Sequence, residues 1–117
     1  MRVDEKELQA HLERLRQYKG LIIVEGKKDV RSLADLGIMN VIPLEGALFE
    51  VVERVAALTK DCMVLTDLDE EGRKLYHELA THLMRHGVHV DNTFREFLFT
   101  TPVRHIEGLS TFVMRKA

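Results

Sequence analysis

The sequence predicts an α/β protein with a three-layer α/β/α architecture, in which a four-stranded, mainly parallel sheet lies between two layers of helices. Short apolar runs alternate with segments of about 10 to 15 residues that have helical periodicity. This alternation favours parallel strands joined by right-handed crossovers, with helices on both faces of the sheet. The runs predicted as strands are residues 21–24, 41–44, 63–66 and 88–90.

The composition is that of an ordinary globular chain. Of 117 residues, 45% are apolar and 31% are charged, which favours a single domain over residues 1–117. No apolar run approaches the roughly 18 residues of a membrane span, and residues 1–18 are too charged for a secretory signal. The single cysteine, Cys62, agrees with a reducing compartment. We therefore expect a cytoplasmic protein without a membrane partner.

The distribution of charge limits how the chain could bind other molecules. A formal net charge of −2 argues against a protein that holds nucleic acid by bulk electrostatics alone. Residues 41–90 carry five Lys/Arg and nine Asp/Glu, a difference of −4, so the excess negative charge is central. Clustered carboxylates repel one another unless a cation joins them. A divalent cation would remove that repulsion.

The first element is a predicted amphipathic helix over about residues 5–18. Asp4 and Glu7 have the spacing of a capping box, and leucines follow at helical intervals. Gly20 is expected to end the helix. The wholly apolar run of residues 21–24 then reads as the first strand, covered on both faces.

The next predicted helix begins at Asp29 and ends at Gly37, before the second strand over residues 41–44. Pro43 lacks an N–H group, so the second strand belongs at an edge of the sheet. The simplest strand order is then 2-1-3-4, which makes the first and third strands neighbours. The remaining helices are predicted at residues 47–58 and 72–85.

The tail from residue 92 onward is harder to divide into elements. Thr93 and Glu96 have the spacing to cap a short helix that carries Phe94 and Phe97, with Phe99 just beyond. Two interpretations fit these aromatic residues. They could cover the core, or they could stack on nucleotide bases with arginines nearby.

Two acidic corners follow the first and third predicted strands. Ligands of open α/β sheets collect where neighbouring strands end and the winding direction switches. Glu25 ends the first strand and Asp67 the third, and Asp69 falls on the same side as Asp67 while the chain is extended. Carboxylates are the ligands that Mg²⁺ prefers. Gly26 and Gly72 would let the backbone turn sharply or approach a ligand closely.

Each of these residues also has a simpler interpretation. Asp67 and Asp69 could be only turn and N-cap residues. Glu70 and Glu71 suit the positive end of a helix dipole. Lys27 could be solvated, although it is placed to neutralise a phosphate. The pairing of the two corners, and not any one residue, indicates a metal site.

The histidines on and directly after the predicted helix of residues 72–85 are candidate zinc ligands. His82 and His86 are four residues apart, as zinc ligands can be, but no glutamate follows His82 as in a zinc protease. A solvated helix face is the favoured interpretation for them and for His77.

The two corners, residues 24–29 (VEGKKD) and residues 67–72 (DLDEEG), resemble the motifs of the Toprim domain. That family is shared by topoisomerases, bacterial primases, recombination-linked repair proteins and small ribosomal-RNA maturation nucleases. The resemblance implies a Toprim/Rossmann-like core over residues 20–91, with an N-terminal helix (1–19) and a C-terminal extension (92–117). The chain is most similar in size to the stand-alone RNA-maturation type.

The resemblance also implies functional roles. Glu25 corresponds to the family's glutamate, a metal ligand or general acid/base, while Asp67 and Asp69 would coordinate Mg²⁺, with Mn²⁺ as an alternative. Lys27 would offset charge that develops on phosphorus. The family glycines match Gly26 and Gly72.

Three hypotheses follow for function. The first is a Mg²⁺-dependent nuclease that processes RNA in preference to DNA. The second is a non-catalytic subunit that uses the metal to hold nucleic acid for a protein partner. The third, a receiver-type signalling domain, ranks last because it needs five parallel strands. The oligomeric state is left open.

Overall fold

The protein is described here by a computed structural model that covers residues 3–116, and it has the predicted three-layer α/β/α architecture. None of the helices formed by these residues has both the length and the apolar character that a membrane span requires. The strands are β1 (Leu21–Val24), β2 (Val41–Pro43), β3 (Asp61–Val64) and β4 (His89–Val90). The helices are α1 (Glu5–Gln17), α2 (Lys27–Asp35), α3 (Leu48–Leu58), α4 (Glu70–Arg85), α5 (Thr93–Leu98) and α6 (Leu109–Lys116), with a 3₁₀ turn (Ile106–Gly108) before α6.

The sheet has the order β2-β1-β3-β4, and all its neighbouring strands are parallel, which confirms the predicted order. The edge position of β2 agrees with its proline. Ile22 donates to the carbonyl of Asn40, and Leu44 donates to that of Val24, so the intervening Pro43 turns its backbone nitrogen away from β1. The described residues form four strands and not the five of a receiver domain.

Alternating side chains of the sheet point into two hydrophobic clusters, one on each face. In β1, Ile22 and Val24 point into the first cluster, which α1, α2, α5 and α6 cover. Ile23 points into the second cluster, beneath α3 and α4. Because both faces of β1 are buried, its sequence is uniformly apolar, as predicted.

The aromatic residues of the tail belong to the first cluster. Phe94 is 1% exposed and Phe97 is 5% exposed. The ring of His11 stacks on Phe97 with 4.1 Å between centroids. Neither phenylalanine therefore has a face free for a nucleotide base, and the core interpretation is the correct one for both. Helix α6, which the sequence pattern did not predict, adds Leu109 and Val113 to the same cluster.

Several element boundaries differ from the prediction by about two residues. Helix α2 begins at Lys27 and not at Asp29, because Asp29 accepts a hydrogen bond from the Gly26 N–H (3.0 Å) from within the first turn. Helix α4 begins at Glu70 and not at Gly72, because Asp69 is its N-cap. Strand β3 is correspondingly earlier, over Asp61–Val64.

Candidate metal centre

The two acidic corners lie side by side at the carboxyl edge of the sheet. Strands β1 and β3 are hydrogen-bonded neighbours, and Glu25 and Asp67 follow them. The backbone N–H of Asp67 donates to Oε2 of Glu25 at 2.7 Å. The strand order therefore brings together residues that are far apart along the chain.

Each aspartate of the second corner is held by one carboxylate oxygen. Oδ1 of Asp69 accepts from the Gly72 N–H (2.8 Å) and caps α4. Oδ1 of Asp67 accepts from the Ile106 N–H (3.0 Å). The cap interpretation of Asp69 is thus correct, and it is compatible with a ligand role because Oδ2 is not used for the cap.

His105 joins the two aspartates and was not among the predicted ligands. One ligand atom each from Asp67, Asp69 and His105 lie within 4.8 Å of one another. The imidazole Nε2 of His105 is 3.3 Å from Oδ2 of Asp69. His105 sits in an irregular loop, where no periodicity or motif spacing marks it.

Glu25 lies beside this group in an unfavourable environment for a negative charge. Burial is the main reason that the pKa of its carboxyl is raised, and the charges of Asp67, Asp29 and Asp69 raise it further. The hydrogen bond from the Asp67 N–H acts in the opposite direction. A carboxyl with a raised pKa keeps its proton to a higher pH than a free glutamate does, which favours a role in proton transfer.

Arg95 supports the second corner from below. Its side chain is 3% exposed, and it donates to the carbonyl oxygens of Thr66 (Nη1, 2.6 Å) and Asp67 (Nη2, 3.2 Å). The guanidinium lies 4.5 Å from the centroid of the Tyr76 ring. Arg95, one of the arginines near the predicted aromatic residues, is therefore a buried support for the loop.

The two predicted glycines have different environments. A Cβ on Gly72 would overlap the carbonyl of Asp67, so this position accepts only glycine without movement of the loop. Gly26 has an extended backbone, and a Cβ there would meet no atom within 4 Å. Close approach of two chain segments thus explains Gly72 alone.

The remaining candidates lie at the margins of the centre. Lys27 is the first residue of α2 and is exposed. On α4, Nδ1 of His86 lies 2.9 Å from the carbonyl oxygen of His82. Among residues 3–116, the histidine found in a group of three potential metal ligands is His105. His86 is exposed, whereas His82 is half-buried.

The donor set suits a divalent cation. Two carboxylates and one imidazole converge, and each can present a lone pair to one point. The oxygen donors are hard ligands of the kind that Mg²⁺, Ca²⁺ and Mn²⁺ accept, and the imidazole widens the range to other transition metals.

Comparison with known proteins agrees with the fold and the acidic corners. The family model of the Toprim domain matches residues 20–98. The chain therefore belongs to the Toprim domain family, as the motifs suggested. Toprim domains bind divalent metal ions and act on nucleic acids, so metal-dependent nucleic-acid chemistry is the broad class that the family and the acidic group support.

The chain is also similar to individual proteins along most of its length. The chain is 36% identical over 105 residues to a UPF0292 protein of Pyrococcus abyssi, covering 89% of this chain and 80% of the relative. A UPF0292 protein of Methanosarcina barkeri is 32% identical over 112 residues, covering 89% and 78%. A solved structure of a protein from Aquifex aeolicus superposes with a TM-score of 0.80 at 32% identity, over 86% of this chain and 95% of that one.

Proposed function

We propose that the chain is a metal-dependent nuclease that hydrolyses phosphodiester bonds in structured RNA. The observation that carries the proposal is the convergence of Glu25 and Asp67 at the carboxyl edge of β1 and β3, where the Asp67 N–H donates to the Glu25 carboxylate. The preference for RNA over DNA rests on the resemblance to small RNA-maturation nucleases.

The proposed roles combine the Toprim resemblance with the position of each side chain. Asp67 and Asp69 hold the ion, expected to be Mg²⁺ with Mn²⁺ as the alternative, which supplies Lewis-acid stabilisation of the phosphate. Glu25, with its raised pKa, takes or returns a proton at its carboxylate. Lys27, exposed at the start of α2, offsets charge on a phosphate oxygen.

The test uses end-labelled structured RNAs with Mg²⁺, and compares the parent protein with Glu25→Gln and Asp67→Asn. We expect both variants to lose at least about a hundredfold in cleavage rate, because each removes a group that acts on the reacting phosphate. Asp61→Asn is the matched control, since Asp61 is an exposed aspartate at the opposite end of β3. Undiminished cleavage by both site variants would contradict the assignment.

A second candidate function is a non-catalytic subunit that grips nucleic acid through the metal for a partner enzyme. The observation that favours it is the position of Arg95, which is buried and donates to the Thr66 and Asp67 carbonyls, so this cation supports the loop instead of contacting the reacting phosphate. This function predicts RNA retention that requires Mg²⁺ and is lost in Asp67→Asn, with no cleaved product at any protein concentration.

A further inference from the structure

His105 is held opposite the acidic corner by two backbone interactions that flank it. The Leu68 N–H donates to the Arg104 carbonyl (2.8 Å), and the Ile106 N–H donates to Oδ1 of Asp67 (3.0 Å). The two bonds run in opposite directions between the same two segments. They fix the main chain on both sides of His105 against the Asp67 loop.

The segment that carries His105 is itself anchored in the fold. Ile106 is fully buried in the first cluster. Nη1 of Arg104 donates to the carbonyls of Thr101 (2.9 Å) and Val103 (2.8 Å), which closes the turn before His105. The imidazole is therefore presented from a well-supported backbone, although the ring itself is 55% exposed.

His105 lies outside the part of the chain that the family model matches. The match ends at residue 98, whereas His105 lies in the C-terminal extension. The position of His105 is a property of this chain's tertiary structure and does not follow from family membership.

We propose that His105 is a third protein ligand of the metal and that it makes the centre prefer divalent transition-metal ions to Mg²⁺. The proposal rests on the proposed function for the presence of a metal and refines which ion is bound. Imidazole nitrogen binds transition-metal ions well and is a poor ligand for Mg²⁺, which favours oxygen. A site with two carboxylates and one imidazole should therefore prefer Mn²⁺ to Mg²⁺ more strongly than a site with carboxylates alone.

A second histidine in the chain provides a matched comparison. Nδ1 of His89 lies 3.3 Å from Oδ1 of Asp61, the same separation as between Nε2 of His105 and Oδ2 of Asp69. A ligand atom of Asp67 lies within 4.8 Å of those of Asp69 and His105, whereas no group of three potential ligands among residues 3–116 includes His89. A comparison of His89 and His105 variants therefore distinguishes the effect of losing a surface ion pair from the effect of losing a metal ligand.

The experiment measures Mn²⁺ and Mg²⁺ affinity by calorimetry and nitrogen hyperfine coupling in the Mn²⁺-loaded protein by pulsed EPR. The variants are His105→Gln, the control His89→Gln, and Asp67→Asn. We expect imidazole-nitrogen coupling in the parent and in His89→Gln, and its loss in His105→Gln. In His105→Gln, Mn²⁺ affinity should fall about tenfold or more, while Mg²⁺ affinity should change by less than about twofold.

The outcomes distinguish the inference from the proposed function. If both ions bind and Asp67→Asn abolishes binding, but no nitrogen coupling appears, His105 is not a ligand and the inference fails while the metal site stands. Equal losses of Mn²⁺ and Mg²⁺ affinity in His105→Gln would also overturn it, because His105 would then act only by orienting Asp69. If neither Mn²⁺ nor Mg²⁺ binds the parent protein, the proposed function and the inference fail together.

Discussion

At the scale of single residues, the two glycines of the acidic corners show that similar motif positions can have different physical reasons. Gly72 is buried at the first turn of α4, where the Asp67 carbonyl occupies the space that a side chain would need. Thr66 Oγ1 also donates to the Gly72 carbonyl (2.7 Å), which draws the two segments together. Gly26 lies in open space with an extended backbone. A glycine at this motif position would let a ligand approach the backbone closely, but the conformation of Gly26 does not require glycine.

We expect Gly72→Ala to lower the free energy of unfolding by about 1–3 kcal/mol, because the added methyl group forces the Asp67 loop away from α4. Loss of metal affinity should accompany it, since Asp67 moves with the loop. Gly26→Ala is the matched control and should change stability by less than about 1 kcal/mol, because the entropy gained by removing glycine is opposed by the preference for glycine over alanine at the N-cap of α2. Urea denaturation measures both variants, and equal stability of the two would contradict the close-approach explanation.

At the scale of elements, the short helix α5 supports the site as well as the core. Its buried face carries Phe94 and Phe97 into the first cluster, while Arg95 reaches the loop after β3. Burial lowers the pKa of Arg95, and the nearby Tyr76, Glu25, Glu96 and Asp67 act in the opposite direction. The helix thus places a buried cation and two hydrogen-bond donors behind the acidic corner.

Arg95→Met is expected to lower the free energy of unfolding by about 2 kcal/mol, because the Thr66 and Asp67 carbonyls lose their donors inside the protein. Arg73→Met, on the exposed face of α4, is the control and should change stability by less than about 0.5 kcal/mol. Urea is the denaturant of choice for this measurement, because guanidinium chloride is a salt and would screen the charge effect. A loss in Arg95→Met no greater than in the control would show that the guanidinium does not support the loop.

At the scale of the whole molecule, the fold gathers negative charge at one edge of the sheet. Glu25 and Asp29 both have a raised pKa, and burial is the largest cause for each. A raised pKa in the folded state means that the folded protein binds protons more tightly than the unfolded chain. The associated stability is fully present below the unfolded-state pKa and is lost as the pH rises through the folded-state pKa.

We therefore expect Glu25 to make the metal-free protein less stable as the pH rises above about 4, where free carboxyls titrate, and Glu25→Gln to remove that contribution. A remaining decline is expected because Asp29 acts in the same direction. Urea denaturation across this pH range measures the slope, with Glu53→Gln, an exposed glutamate on α3, as the control. An unchanged slope in Glu25→Gln would show that the pKa of Glu25 is not raised in the folded protein.

Much of the fold was predictable because its signals are local. Burial on both faces makes β1 uniformly apolar, and the missing N–H of Pro43 restricts β2 to an edge. Those two facts were enough for the strand order and for the neighbouring positions of Glu25 and Asp67. Boundaries were less predictable, since the N-cap at Asp69 and the bond from Gly26 to Asp29 extended two helices beyond their apolar patterns.

The sequence by itself determined the class of fold, the Toprim resemblance and the two acidic corners, because periodicity and short motifs record which residues are buried and which end a strand. Only the tertiary structure decided that Arg95 supports the Asp67 loop and that His105 faces Asp69. Arg95 donates to backbone carbonyls of the loop, whereas His105 contacts the side chain of Asp69, and both contacts join segments that are distant along the chain. Partners that lie so far apart in the sequence leave no periodicity or short motif by which they could be paired.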